Sequence, residues 1–135
     1  MKKTVPLTLF AFLVAGAIGS KAEGPAIQLS QSVQIEKIAV GTGVQDRELV
    51  GQATEFSASL GRVYCWTKVT AQNVPTSVKH VWYLDGKKSA EVTLNVKYPR
   101  TRTWSNKAVG PGLWKVEVLD ESGSVLSSVE FKVAQ

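Results

Sequence analysis

The sequence predicts an all-β protein: a single antiparallel β-sandwich of immunoglobulin-like character, with about seven short strands. Three observations carry this. Words dense in aromatic and β-branched residues recur, as in Arg62–Val69, Lys79–Gly86 and Gly112–Val118, and these residue types favour strands. Turn-forming clusters separate them at near-regular intervals: Gly41-Thr42-Gly43, Asn73-Val74-Pro75, Asp85-Gly86, Gly110-Pro111-Gly112 and Asp120–Gly123. Beyond the N-terminal leader no segment sustains a 3.6-residue period.

Residues 1–22 read as a secretory signal peptide. Lys2 and Lys3 form a positive start, and Thr4–Ile18 is apolar and uncharged. Ser20-Lys21-Ala22 then offers small residues at the −3 and −1 positions of a cleavage site, so Glu23 is the expected mature N-terminus. The alternative is an uncleaved anchor, but the apolar run of about 15 residues is short of the roughly 20 needed to span a bilayer. No cysteine lies near Ala22 to accept a lipid, and no second apolar run of spanning length follows. The mature chain is therefore expected to be soluble, periplasmic or secreted.

Residues 23–32 form a polar lead-in, and residues 33–135 the sandwich domain. Val33–Val40 is the first strand. Asp46 to Phe56 is a connection without a clear period. Arg62–Val69 is the second strand, Val78–Leu84 and Lys88–Val96 flank Asp85-Gly86, and a short strand covers Arg102–Lys107 after Pro99. Leu113–Leu119 and Val125–Val133 complete the set. About 113 mature residues suit one domain, large enough to bury roughly 65% of its unfolded surface without staples. Cys65 is the only cysteine, so no intramolecular disulfide can form, and a lone cysteine in a strand reads as a small buried apolar residue.

Charge is unevenly placed. The leader holds Lys2, Lys3 and Lys21, so its removal lowers the net charge from +5 to +2. Residues 92–116 carry Lys97, Arg100, Arg102, Lys107 and Lys115 with no acid. That segment reads either as a solvated, lysine-guarded sheet edge or as a patch for an anionic partner.

All four tryptophans, Trp66, Trp82, Trp104 and Trp114, lie between Arg62 and Trp114. Large aromatics either fill a core or face a ligand. Asp85-Gly86 between two alternating runs signals a type I′ hairpin. Taken as a regular two-residue turn, it sets Trp82 opposite Ser89 and His80 opposite Glu91, on the polar face, with Val81 and Tyr83 on the apolar one. His80 and Glu91 are then placed to pair. A bulged turn reverses this parity and puts Trp82 inside against Cys65, as immunoglobulin sandwiches do with the tryptophan of their third strand. Trp114 alternates with Val116 and Val118 and reads as core. Trp66 shares a face with Tyr64 and Lys68, and Trp104 shares one with Arg102, which could stack on it.

At these words the chain resembles a bacterial family known as domain of unknown function 2914. The matching pieces are Asp46-Arg47-Glu48, Phe56, Val63–Val69, His80–Tyr83, Asp85-Gly86-Lys87, Arg102–Ser105 and Trp114–Val118, together spanning roughly residues 40–133. The resemblance implies a small β-sandwich of exported or membrane-tethered bacterial proteins, often attached to other envelope modules. It implies no activity, so no catalytic residue carries over. The chain departs from the family at the short Val109–Gly112 turn, where longer loops are expected, so a ligand role for that loop does not carry over.

An enzyme is not expected. There is one histidine, no serine or cysteine in a nucleophile word, no phosphate-binding glycine loop and no clustered metal ligands. Catalytic residues, metal and cofactors are each expected to be none. Two binding readings remain. One is an exported, non-catalytic module for envelope polysaccharide, using Tyr64, Trp66, His80, Trp82, Arg102 and Trp104 to stack on sugar faces and bond hydroxyls. The other is a protein-interaction or assembly module docking an envelope protein through a sheet face or edge. Nucleic acid is not an expected partner, because the signal sends the chain out of the compartment that holds it.

Overall fold

The structure, a computed structural model, describes residues 32–135. The expected signal over 1–22 and nearly all of the lead-in lie outside the described residues. Ten strands run through the described residues: β1 (Val33–Gly41), β2 (Gly43–Gln45), β3 (Glu48–Val50), β4 (Glu55–Ser57), β5 (Arg62–Ala71), β6 (Thr76–Leu84), β7 (Lys87–Val96), β8 (Arg100–Ala108), β9 (Gly112–Leu119) and β10 (Val125–Ala134). The seven expected strands are all present. The additional three, β2, β3 and β4, are three residues each and lie within the Gly41–Ser57 connection.

A three-stranded sheet, ordered β1-β5-β8, packs on a five-stranded sheet, ordered β4-β10-β9-β6-β7, and β2-β3 forms a separate hairpin. The order corresponds to strands A-B-E against G-F-C-C′ of an immunoglobulin sandwich. The short β4 lies parallel to β10, pairing Phe56 with Val133; every other ladder is antiparallel. Gly41 lets the hairpin approach β1 closely, because a Cβ there would sit 2.5 Å from the Val50 carbonyl oxygen.

The β6–β7 hairpin corrects the expected parity. Asp85 and Gly86 have φ of 49° and 84°, the left-handed pair a type I′ turn requires. Leu84 pairs with Lys87 and Tyr83 with Lys88, as the turn dictates. Then the ladder slips: Trp82 pairs with Ala90, Val81 with Glu91 and His80 with Val92. Ser89 is the extra residue of a β-bulge. One residue of slip exchanges the two faces, so Trp82, His80 and Val78 join Ala90, Val92 and Val96 inside. Tyr83, Lys79, Lys88 and Glu91 point outward. The expected His80–Glu91 pair does not form; Glu91 instead bonds Lys79 at 3.1 Å and Lys88 at 2.6 Å.

The core has two clusters. The larger unites Cys65, Trp82, Trp114, Val116, Phe56 and Phe131. Trp114 and Phe131 stack at 6.0 Å, and Trp82 meets both edge-on at 6.4 and 6.2 Å, geometries that suit the ring quadrupoles. The second holds Val33, Val69, Val78, Val96 and Val118. Cys65 is fully buried, and burial pushes its thiol well above the ordinary range. It stays protonated and acts as an apolar side chain.

Between the clusters His80, Thr67 and Ser105 are buried and satisfy one another. The Trp82 Nε1–H donates to Ser105 Oγ at 3.1 Å, and Ser105 Oγ lies 2.7 Å from His80 Nδ1. On the other side His80 Nε2 lies 3.3 Å from Thr67 Oγ1, whose hydroxyl donates to the Thr103 carbonyl oxygen at 2.9 Å. Only one proton arrangement serves all four contacts. Thr67 has used its hydrogen, so His80 Nε2 carries the ring proton and donates, and Nδ1 accepts from Ser105. This chain links β6 of one sheet to β5 and β8 of the other, with no charged group among its members.

Burial lowers the His80 pKa from 6.5 to about 4. The unfolded imidazole takes up a proton below about pH 6.5, whereas the folded one resists until about pH 4, so folding stability is complete above pH 6.5 and falls as the pH drops through that window. A shift of this size corresponds to about 3 kcal/mol. Chemical denaturation across the window is expected to show this loss, and His80→Gln is expected to abolish the dependence. Urea unfolding should also separate the indoles: Trp82→Ala costs about 3–5 kcal/mol, whereas Trp104→Ala costs less than about 2 kcal/mol.

Candidate functional site

Strand alternation gives the three-stranded sheet an inner row on β5, Val63, Cys65, Thr67 and Val69, each fully buried. The outer row is Tyr64, Trp66, Lys68 and Thr70. Cross-strand pairing on β8 extends it, setting Tyr64 beside Asn106, Trp66 beside Trp104, Lys68 beside Arg102 and Thr70 beside Arg100. Four of the six expected binding residues, Tyr64, Trp66, Arg102 and Trp104, thus share one outward face. His80 and Trp82 do not reach it: both are fully buried inside the sandwich. The bulge at Ser89 is the reason, so their expected place on an open face is corrected.

The aromatic face is also partly covered. Asp46-Arg47 turns the β2–β3 hairpin over β5, and the Trp66 Nε1–H donates to the Arg47 carbonyl oxygen at 3.0 Å. Lys37 Nζ lies 5.8 Å from the same ring, leaving Trp66 only 3% exposed. Tyr64 and Trp104 remain half-buried. The expected stacking of Arg102 on Trp104 gives way to an ion pair, because the Arg102 guanidinium bonds the Glu48 carboxylate of the hairpin. Trp114 lies in the core, as expected.

Beside the hairpin, Arg47, Lys68, Arg100, Thr101 and Arg102 line a cleft of about 170 Å³. Lys68 has a loose partner in Glu36 at 3.7 Å. Among the described residues no carboxylate forms an ion pair with Arg47 or Arg100. The sequence reading found Arg100 and Arg102 through the acid-free segment. It missed Arg47, which lies in a connection whose strands are too short to show a period, and it did not single out Lys68 beyond its parity.

A second hollow of about 340 Å³ lies on the outward side of the five-stranded sheet, lined among others by Tyr83, Leu113, Lys115, Glu130 and Lys132. Tyr83 donates to Glu117 Oε1 at 3.2 Å, and Lys115 Nζ stands 5.2 Å from its ring. Leu113 is 64% exposed. Among the described residues no group of three or more His, Cys, Asp or Glu side chains is placed to hold a metal ion, and no helix is long and apolar enough to cross a membrane.

No curated protein matches the chain. Among solved structures it is similar to the extracellular domain of a proposed one-component system from B. thetaiotaomicron, at 9% identity and a TM-score of 0.37. That likeness covers 76% of this chain and 15% of the other; it carries no argument about function. The family described as Protein of unknown function (DUF2914) matches residues 75–133, from β6 through most of β10. The matching segments up to Val69 precede that span, while those from His80 onward fall inside it. Over residues 75–133 the chain is thus similar to the proteins of unknown function DUF2914, the family that the sequence words resemble.

Proposed function

We propose that this chain is an exported, non-catalytic binding module of the bacterial cell envelope that takes envelope polysaccharide on the outer face of the β1-β5-β8 sheet. The single observation behind this reading is the juxtaposition on that face of the half-buried Tyr64 and Trp104 with the basic cleft of Lys68, Arg100 and Arg102. Flat rings stack on the apolar faces of sugars, and cations and amides bond hydroxyl and acidic substituents. The signal read in residues 1–22 supports the envelope as its location. Titration with a panel of cell-wall and exopolysaccharide fragments, followed by tryptophan emission and calorimetry, tests it. Trp104→Ala is expected to weaken binding by about tenfold, or 1.4 kcal/mol, with the fold intact. Absence of binding across the panel removes this reading.

The protein-docking reading rests on the other hollow, where the exposed Leu113 stands beside Tyr83. In-cell cross-linking from position 113 is expected to capture a specific envelope protein if that reading holds. Recovery of abundant bystanders alone counts against it.

A further inference from the structure

Two tight turns in this chain share one backbone conformation but not one chemistry. Asp85-Gly86 has φ of 49° and 84°, and Asp46-Arg47 has 53° and 67°. Both close two-residue hairpin loops. At the second position glycine meets no steric penalty, whereas a long side chain there is a genuine outlier. Arginine also lacks the short polar group that lets asparagine and aspartate tolerate this region. Strain of this kind persists when the surroundings hold it in place, and it clusters at ligand clamps.

The hairpin holds Arg47 by two ties: Trp66 donates to its carbonyl oxygen, and its neighbour Glu48 bonds Arg102. Any residue could supply that carbonyl. What arginine adds is a guanidinium lining the cleft with Lys68, Arg100 and Arg102. Four cations surround this hollow, Glu36 and Glu48 answer two of them, and Arg47 and Arg100 are left unmatched among the described residues. Like charges held together oppose folding unless a counter-charge enters.

We infer that the cleft between the β2–β3 hairpin and β8 binds an oxyanion, a phosphate, sulfate or uronate group, with Arg47 as a clamp carried by the turn. A planar guanidinium offers paired N–H donors that match two oxygens of such a group, which a lysine could not reproduce. This rests on the polysaccharide reading only for the polymer to which the anion belongs; the anion site itself stands on the turn and the four cations. Thr101 is the one uncharged member of the lining, and its hydroxyl donates to the Tyr98 carbonyl oxygen at 3.2 Å.

Calorimetric titration of the purified protein with inorganic phosphate, inorganic sulfate, a polyuronate and a neutral glucan of matched length tests the inference. Saturable binding of at least one anionic probe is expected, weakening steeply as ionic strength rises from about 0.05 M to about 0.5 M. Arg47→Gly, which restores the residue the turn prefers, is expected to raise Tm by about 2–5 °C while lowering anion affinity by about tenfold or more. Arg100→Gln provides a second variant with the same loss of affinity. The polyuronate and phosphate arms tell carboxylate from phosphate as the natural group. Equal binding of neutral and acidic polymers, indifferent to Arg47→Gly, overturns the inference and leaves the polysaccharide reading intact. Binding of inorganic anions without any polymer does the reverse. A lower Tm with unchanged anion affinity in Arg47→Gly makes Arg47 a structural residue and overturns the inference, as does the absence of any anion binding.

Discussion

The neutral imidazole of His80 is held in the middle of the sandwich by hydroxyls from the opposite sheet, and much of the architecture follows from it. Ser105 and Thr67 reach it from β8 and β5, and Trp82 shares the Ser105 hydroxyl. A buried polar group without a partner costs about 1–3 kcal/mol. The hydrogen-bond chain therefore favours one register between the sheets over the many that apolar packing alone would tolerate. The bulge at Ser89 fits β7 to this arrangement, since without that slip Ser89 would lie opposite Trp82 and Glu91 opposite His80 on the inward face.

That constraint determines what the protein can offer a partner. Trp82 and Trp114 go to the aromatic core with Phe131 and Phe56, and Trp66 is covered by the β2–β3 hairpin. Only Trp104 remains part-exposed. The candidate surface is accordingly less aromatic and more basic than the density of tryptophan suggests. Its chemistry comes from Lys68, Arg100 and Arg102 along the sheet and Arg47 above it.

The seven long strands were legible because period-two alternation and turn chemistry are local properties. Leu113–Leu119 alternates cleanly, and Asp85-Gly86 marks its turn without help from tertiary structure. Strands β2, β3 and β4 were not legible, since three residues carry no period. The bulge was open in the sequence because Ser89 fits either register. Burial of Trp82 against Cys65 decided it, and only the spacing of those two residues hinted at that outcome. Arg47 was hidden for a related reason: arginine is not a turn residue, so Asp46-Arg47 gives no hairpin signal even though the backbone makes one.

The protonation state of His80 decides whether the two sheets are joined in this way. Long-range ¹H–¹⁵N correlation spectra of its imidazole, recorded from about pH 8 to about pH 5, report tautomer and charge directly. The expected result is a neutral ring protonated at Nε2, unchanged across that range, as the Thr67 and Ser105 contacts demand. A midpoint near the ordinary histidine value, or a proton on Nδ1, would contradict it.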